Sequence, residues 1–166
     1  NVMMEDKCSC PNNCGLCTNH LSHSGLANII VTNRCDLTCW YCFFYVKKGL
    51  EGAYMYEPSQ DQVRAMMKTL RAERPIPGNS MQITGGEPML REDITDLIKI
   101  MKEEHVDHIQ MNTNGIRHAM DPEAGRDVRM AGCNNLYLSF DGVTARTNPK
   151  NHWEIPYALD TCRKTG

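Results

Sequence analysis

The apolar positions along the chain change period repeatedly. Leu26 to Thr32 (Leu-Ala-Asn-Ile-Ile-Val-Thr) is a short, β-branched run that predicts a buried strand. Val63, Met66, Met67 and Leu70 then recur at i, i+3, i+4 and i+7, which predicts one apolar helix face. Ser59 and Gln62 open that helix with a capping-box pattern, and Pro75 and Pro77 close it. Ser80 to Thr84 reads as a second strand. Ile94, Leu97, Ile98 and Met101 mark a second helix running to about Glu104. Asp107 to Thr113 alternates Ile109 and Met111 with polar neighbours and predicts a third strand. Asp121-Pro122-Glu123 starts another helix, with Asp as cap and Pro at the first helical position, and Gly132 stops it. Asn135 to Phe140 is the fourth strand. Ile155, Ala158, Leu159 and Cys162 share a last helical face. The Met-containing stripe and Cys162 read as ordinary core, and Cys133 at a helix end has no partner motif.

The predicted order is βαβαβαβα. From the second strand on, the strands repeat at about the 30-residue length of a βαβ unit. This predicts an α/β fold with a parallel sheet, right-handed connections and helices outside. Four such units are half of a (β/α)8 barrel. In these sheets chemistry sits at the C-terminal ends of the strands. The unusual loops all fall there: a cysteine loop after the first strand, Gly85-Gly86-Glu87-Pro88 after the second, Asn112-Thr113-Asn114-Gly115 after the third, and Ser139-Phe140-Asp141-Gly142 at the fourth.

The cysteine loop, Cys35-Asp36-Leu37-Thr38-Cys39-Trp40-Tyr41-Cys42, carries three thiols at spacing C-x3-C-x2-C. Structural zinc sites take four ligands, usually as two separated pairs. An iron–sulfur cube also has four irons to ligate, and thiolates are its usual ligands. Three thiols leave one iron open to a small molecule, so the loop reads as a catalytic cluster site. A structural zinc knot or inert buried thiols is the competing reading. Tyr41 is placed to lie against a bound purine. Gly85 and Gly86 let backbone approach a ligand closely. Glu87 suits an ammonium group, and Asn114, Ser139 and Asp141 suit a ribose or an amino acid moiety. A plain turn is an equal reading of the Asn-Thr-Asn-Gly loop.

Residues 1–25 show neither period. Cys8, Cys10, Cys14 and Cys17 supply four thiolates there, a complete set for zinc, for a single iron or for a second cluster. A segment this poor in apolar residues is a candidate for ordering by metal. The expected division is therefore a Cys-rich auxiliary metal segment over 1–25 and the first four βα units of a barrel over 26–166. The nine cysteines are odd in number and clustered, which argues against a disulfide framework and for a reducing, cytoplasmic setting. A net charge of −2 gives no nucleic-acid footprint. No apolar run approaches the roughly 18 residues of a membrane span, and the first residues lack the apolar core of a signal peptide. Asn1 and Gly166 read as cut ends of a longer protein.

Cys35, Cys39 and Cys42 with Tyr41, followed by Gly85-Gly86-Glu87-Pro88, resemble the radical S-adenosylmethionine (SAM) superfamily over residues 26–166. The resemblance implies a partial (β/α) barrel and a 4Fe–4S cluster on the three thiolates. It implies SAM chelating the fourth iron, with Tyr41 near the adenine. By the same resemblance the Gly85–Pro88 loop meets the methionine amino group, and Ser139 and Asp141 lie near the ribose. It also implies reductive cleavage of SAM to a 5′-deoxyadenosyl radical that abstracts hydrogen, fed by an electron donor such as ferredoxin or flavodoxin. Longer runs, among them Cys-Pro-Asn-Asn-Cys-Gly-Leu-Cys and Ile-Pro-Gly-Asn-Ser-Met-Gln-Ile-Thr-Gly-Gly-Glu-Pro, are similar to archaeal tetraether lipid synthases. That likeness implies an auxiliary iron or iron–sulfur site, joining of isoprenoid chains of archaeal diether lipids, and a peripheral membrane contact. Other readings are a radical SAM enzyme acting on a peptide or as a methylase, and a non-catalytic iron- or zinc-binding module.

Overall fold

The computed structural model describes residues 25–39, 41–42, 56–74, 76–140 and 155–165. Cys8, Cys10, Cys14, Cys17 and Asp141 lie outside the described residues. The element order is β1 (Ala27–Ile30), α1 (Gln60–Arg71), β2 (Ser80–Thr84), a 3-10 turn (Pro88–Leu90), α2 (Ile94–Glu103), β3 (His108–Thr113), α3 (Ile116–Met120), α4 (Pro122–Ala131), β4 (Asn135–Leu138) and α5 (Ile155–Thr165). The strands form one sheet in the order β1-β2-β3-β4, and each neighbouring pair is parallel. This is the sheet expected of successive βα units.

Period-two alternation divides the sheet into two chemically different faces. Ile29, Met81, Ile83, Ile109 and Met111 are buried on one face. They pack with Val63, Met67 and Leu70 of α1, with Ile94, Leu97, Ile98 and Met101 of α2, and with Val128 of α4. Each fully buried side chain of this kind contributes about 1.5–3 kcal/mol, so this layer carries the stability. On the opposite face Asn28, Gln82, Gln110 and Asn135 stand in one row of the register. Thr84 lies one row on, beside Ile30 of β1, and Asn112 stands beside Tyr137 of β4.

Arg91 is buried, 7% exposed, and is the one Lys or Arg so buried among the described residues. One guanidinium nitrogen donates to the carbonyls of Val31 and Pro58, both at 2.9 Å. The rest of the fork grips Asp93 at 2.7 and 2.8 Å. Asp93 stands at the start of α2 but makes no side-chain cap bond. Its carboxylate faces Arg91 instead, which holds it below the usual carboxylate range. The end of β1 is thereby tied to the start of α2.

Several expectations change. Met66 is 39% exposed and Leu159 42%, so neither is core. Among the α5 residues whose side chains are described, Ala158 and Thr161 are buried, while Cys162 is only half-buried. The third strand begins at His108, and the fourth ends at Leu138. The Asn-Thr-Asn-Gly loop runs straight into α3, a helix that the apolar pattern did not predict. Cys133 is buried, with its thiol toward the carbonyls of Asn135 at 3.3 Å and Ile109 at 3.6 Å. Among the described residues, no helix is long and apolar enough to cross a membrane.

Candidate active site

The site begins where β1 and β2 end. Their ladder continues past the strands through Val31 N–H to the Thr84 carbonyl at 3.0 Å, Gly86 N–H to Thr32 at 2.8 Å and Glu87 N–H to Arg34 at 2.7 Å. The cysteine loop and the Gly85–Pro88 loop therefore leave the sheet side by side. The two glycines are explained by this contact. Gly85 has φ +153°, and a Cβ there would meet the Thr32 carbonyl oxygen. A Cβ on Gly86 would meet the Arg34 carbonyl oxygen. The missing Cβ atoms thus make room for this chain's own backbone at Thr32 and Arg34, just ahead of the cysteine loop.

Side chains brace the same junction. Glu57 accepts from the Thr32 hydroxyl at 2.8 Å and from Arg34 Nε at 2.6 Å. Burial pushes Glu57 up, but these two donors outweigh it and hold its carboxylate below the usual range. Arg34 also donates to the Leu90 carbonyl at 3.2 Å, which fastens the root of the cysteine loop to the 3-10 turn.

Glu87 was expected to receive an ammonium group. Its carboxylate is buried, 2% exposed, and three donors from the protein occupy it. Oε1 accepts from the Thr113 hydroxyl at 2.7 Å and Met89 N–H at 3.0 Å, and Oε2 accepts from Asn114 N–H at 2.7 Å. Burial pushes Glu87 up to about 7, against the pull of those donors. The second strand-end loop is thus clamped to the third. Asn114 carries the link on to the cysteine loop, because its Nδ2 donates to Asp36 Oδ1 at 2.7 Å.

These loops enclose a cavity of about 260 Å³. Cys35, Leu37, Cys39, Tyr41 and Cys42 line it from the first loop. Thr84, Gly85, Gly86 and Glu87 come from the second, Asn112, Thr113 and Asn114 from the third, and Ser139 from the end of β4. The described residues predicted for the site therefore share one cavity, with the exception of Pro88, which is buried in the 3-10 turn. A larger cavity of about 350 Å³ lies among α4, α5 and β4, and none of the predicted site residues lines it. Sequence reasoning missed Asn112 and Asp36. The signal for Asn112 was present: strand alternation sets it opposite buried Met111.

The donor set fits a cluster with one open iron. Three thiols face one cavity, whereas among the described residues no three of His, Cys, Asp and Glu gather around a single ion. Thiolates of one cube sit on different irons, so they need not converge on a point. The cavity also holds an unmatched acceptor: Asn112 Oδ1 is shielded from solvent and has no partner among the described residues. Such an atom costs about 1–3 kcal/mol unless a ligand or water donates to it.

Comparison with known proteins agrees. The profile of the Radical SAM superfamily matches residues 29–166. The 7,8-dihydro-6-hydroxymethylpterin dimethyltransferase of Methanocaldococcus jannaschii is 39% identical over 165 residues, 96% of this chain and 32% of that protein. The GTP 3′,8-cyclase of Clostridium acetobutylicum is 32% identical over 142 residues, 82% of this chain and 42% of that protein. A probable GTP 3′,8-cyclase of Methanocaldococcus jannaschii is 33% identical over 127 residues, 76% of this chain and 38% of that protein. The chain spans well under half the length of these curated relatives. It belongs to the radical SAM superfamily, whose members work with a 4Fe–4S cluster and S-adenosylmethionine.

Proposed function

We propose that the chain forms the SAM-cleaving part of an enzyme that abstracts hydrogen from a C–H bond of its substrate. The observation that carries this reading is the meeting of Cys35, Cys39 and Cys42 with the Gly85–Glu87 loop, Asn112 and Ser139 around one cavity. Cys35, Cys39 and Cys42 would hold the cluster. When bound, it supplies the electron that cleaves SAM, and SAM supplies the hydrogen-abstracting group. The chain's own residues bind and orient. Tyr41 offers a ring at the rim, Asn112 Oδ1 a free acceptor, and Ser139 a hydroxyl beside the fourth strand end. Glu87 acts from below, setting the third loop through Thr113 and Asn114.

Two finer readings concern the substrate. The longer sequence runs favour joining of isoprenoid chains of diether lipids into tetraether lipid, with Cys8, Cys10, Cys14 and Cys17 as an auxiliary iron site. The second reading is a methylase acting on a polar heterocycle. The dimethyltransferase relative favours it, as does the open sheet face, where the amide row from Asn28 to Asn135 is poor lining for a hydrocarbon tail.

The test uses the full-length protein, purified without oxygen and given SAM and a low-potential reductant. Diether lipid is added to one reaction and 7,8-dihydro-6-hydroxymethylpterin to another. We expect 5′-deoxyadenosine, and joined lipid chains or a methylated pterin tells the finer readings apart by mass spectrometry. Cys39→Ala should lower 5′-deoxyadenosine to the protein-free background while leaving iron bound at Cys8–Cys17. Undiminished 5′-deoxyadenosine in that variant would overturn the ligand assignment.

A further inference from the structure

Asp36 follows the first thiol of the cysteine loop, and its carboxylate is the negative charge next to that thiol in sequence. Its Oδ1 accepts from the Cys35 thiol, with Sγ 3.9 Å away, and from Asn114 Nδ2 at 2.7 Å. Asn114 is itself fixed at two further points. Its backbone N–H is held by Glu87 Oε2 at 2.7 Å, and its Oδ1 accepts from Ile116 N–H at 2.9 Å at the start of α3. The side-chain amide therefore has both of its ends committed, one to a helix start and one to Asp36. This is how a protein holds an exposed carboxylate still. An unheld Asp on a loop would turn toward water, where solvent and salt screen it.

We propose that Asn114 is a positioning residue that pins the Asp36 carboxylate beside Cys35 and so sets the reduction potential of the cluster held there. The proposal rests on the reading that Cys35 is a cluster ligand. Iron–sulfur potentials respond to nearby charge and to hydrogen bonds on the ligand sulfurs. Both act on this thiol. Leu37 N–H donates to Cys35 Sγ at 3.4 Å, which favours the reduced cluster. A fixed anion beside the same sulfur favours the oxidised cluster, and reduction adds one more negative charge against it. The pair of opposed contacts gives the loop a means of tuning that lies outside its three thiols. Asn114 does this from the end of β3, 78 residues along the chain from Asp36.

The test is a potentiometric titration of the full-length protein, followed by the electron paramagnetic resonance signal of the reduced cluster. Iron and sulfide content are measured on each sample. Asp36→Asn keeps the side-chain shape and removes the charge, and it should raise the midpoint potential. Asn114→Ser keeps an oxygen for Ile116 N–H but cannot reach Asp36. It should raise the potential in the same direction by a smaller step. The double variant should sit no higher than Asp36→Asn alone, because both changes remove one interaction. The shift from Asp36→Asn should shrink as salt is raised. An unchanged potential in either single variant, or a double variant shifted well beyond Asp36→Asn, would overturn the proposal. Should Asn114→Ser fail to load the cluster, Asp36→Asn still decides it through an unchanged or raised potential. A Cys35→Ala protein that keeps full iron and its signal would instead overturn the ligand assignment, a separate failure.

Discussion

Burial pushes the Cys35 thiol up to about 11, and the charges of Asp36, Glu87 and Cys39 add to it against one N–H bond from Leu37. At neutral pH this sulfur carries its proton, so metal loading has to release it. His118 shows burial acting on a base. It is 1% exposed, and neither ring nitrogen has a hydrogen-bond partner among the described residues. Burial, with the positive charge of Arg117 beside it, pulls its pKa down to about 4. The folded protein therefore leaves the ring neutral between about 6.5 and 4, while the unfolded chain takes a proton. Stability is full above pH 6.5 and falls as pH drops toward 4, by up to about 3 kcal/mol. His118→Leu should flatten that part of the pH profile in urea melts, and it should be neutral or stabilising at pH 7 by about 1 kcal/mol. An unaltered slope between pH 6.5 and 4 would mean that other groups carry it. The sequence announced Cys35, Gly85 and Glu87 through residue type and spacing. It did not announce His118, because nothing local marks a histidine whose surroundings come from Gly125 of α4 and Thr161 of α5.

Among the elements, α1 was legible from end to end. Ser59 Oγ accepts from Gln62 N–H at 3.2 Å, and Gln62 Oε1 accepts from Ser59 N–H at 2.8 Å, as the capping box requires. Ser59→Ala should cost about 1 kcal/mol in chemical denaturation, with an unchanged denaturant slope. A cost near zero would show that Gln62 caps the helix unaided. In contrast, α3 was illegible. Ile116–Met120 spans five residues, too few to show a period, and it begins at Gly115 with φ +79° rather than at a capping side chain. The second strand was legible to both its ends, while the first and fourth were expected too long by three and two residues, since their patterns continue into the strand-end loops, and the third was expected to begin one residue early, at Asp107. Met66 and Leu159 misled for a related reason. Helical spacing fixes a stripe, but the width of the neighbouring element decides how much of the stripe is covered.

For the molecule as a whole, β2 and β3 each pair on both sides, while β1 and β4 pair on one side among the described residues. Amides of Met81, Ile83, Ile109 and Met111 should therefore exchange with deuterium most slowly, and those of β4 markedly faster. Equal protection at β4 in the full-length protein would mean that a further strand covers its free edge. The parallel sheet and its strand order were legible because each βα unit repeats the same local signals. The binding of Glu87 to Thr113 and Asn114 was not, because it joins residues of two different units.

The seam between the cysteine loop and the Gly85–Pro88 loop also sets an order of events in time. Arg34 bonds the Leu90 carbonyl across 56 residues of chain. Closing a loop of that length is slow beside helix formation, and its contacts return nothing until it closes. On this ground the helices should form before the wall behind Cys35. Iron delivered before that closure meets three thiols on a loose strand, whereas iron delivered after it meets a finished pocket. Slowing β1–β2 docking in the full-length protein should therefore delay cluster insertion even in variants whose final stability is unchanged.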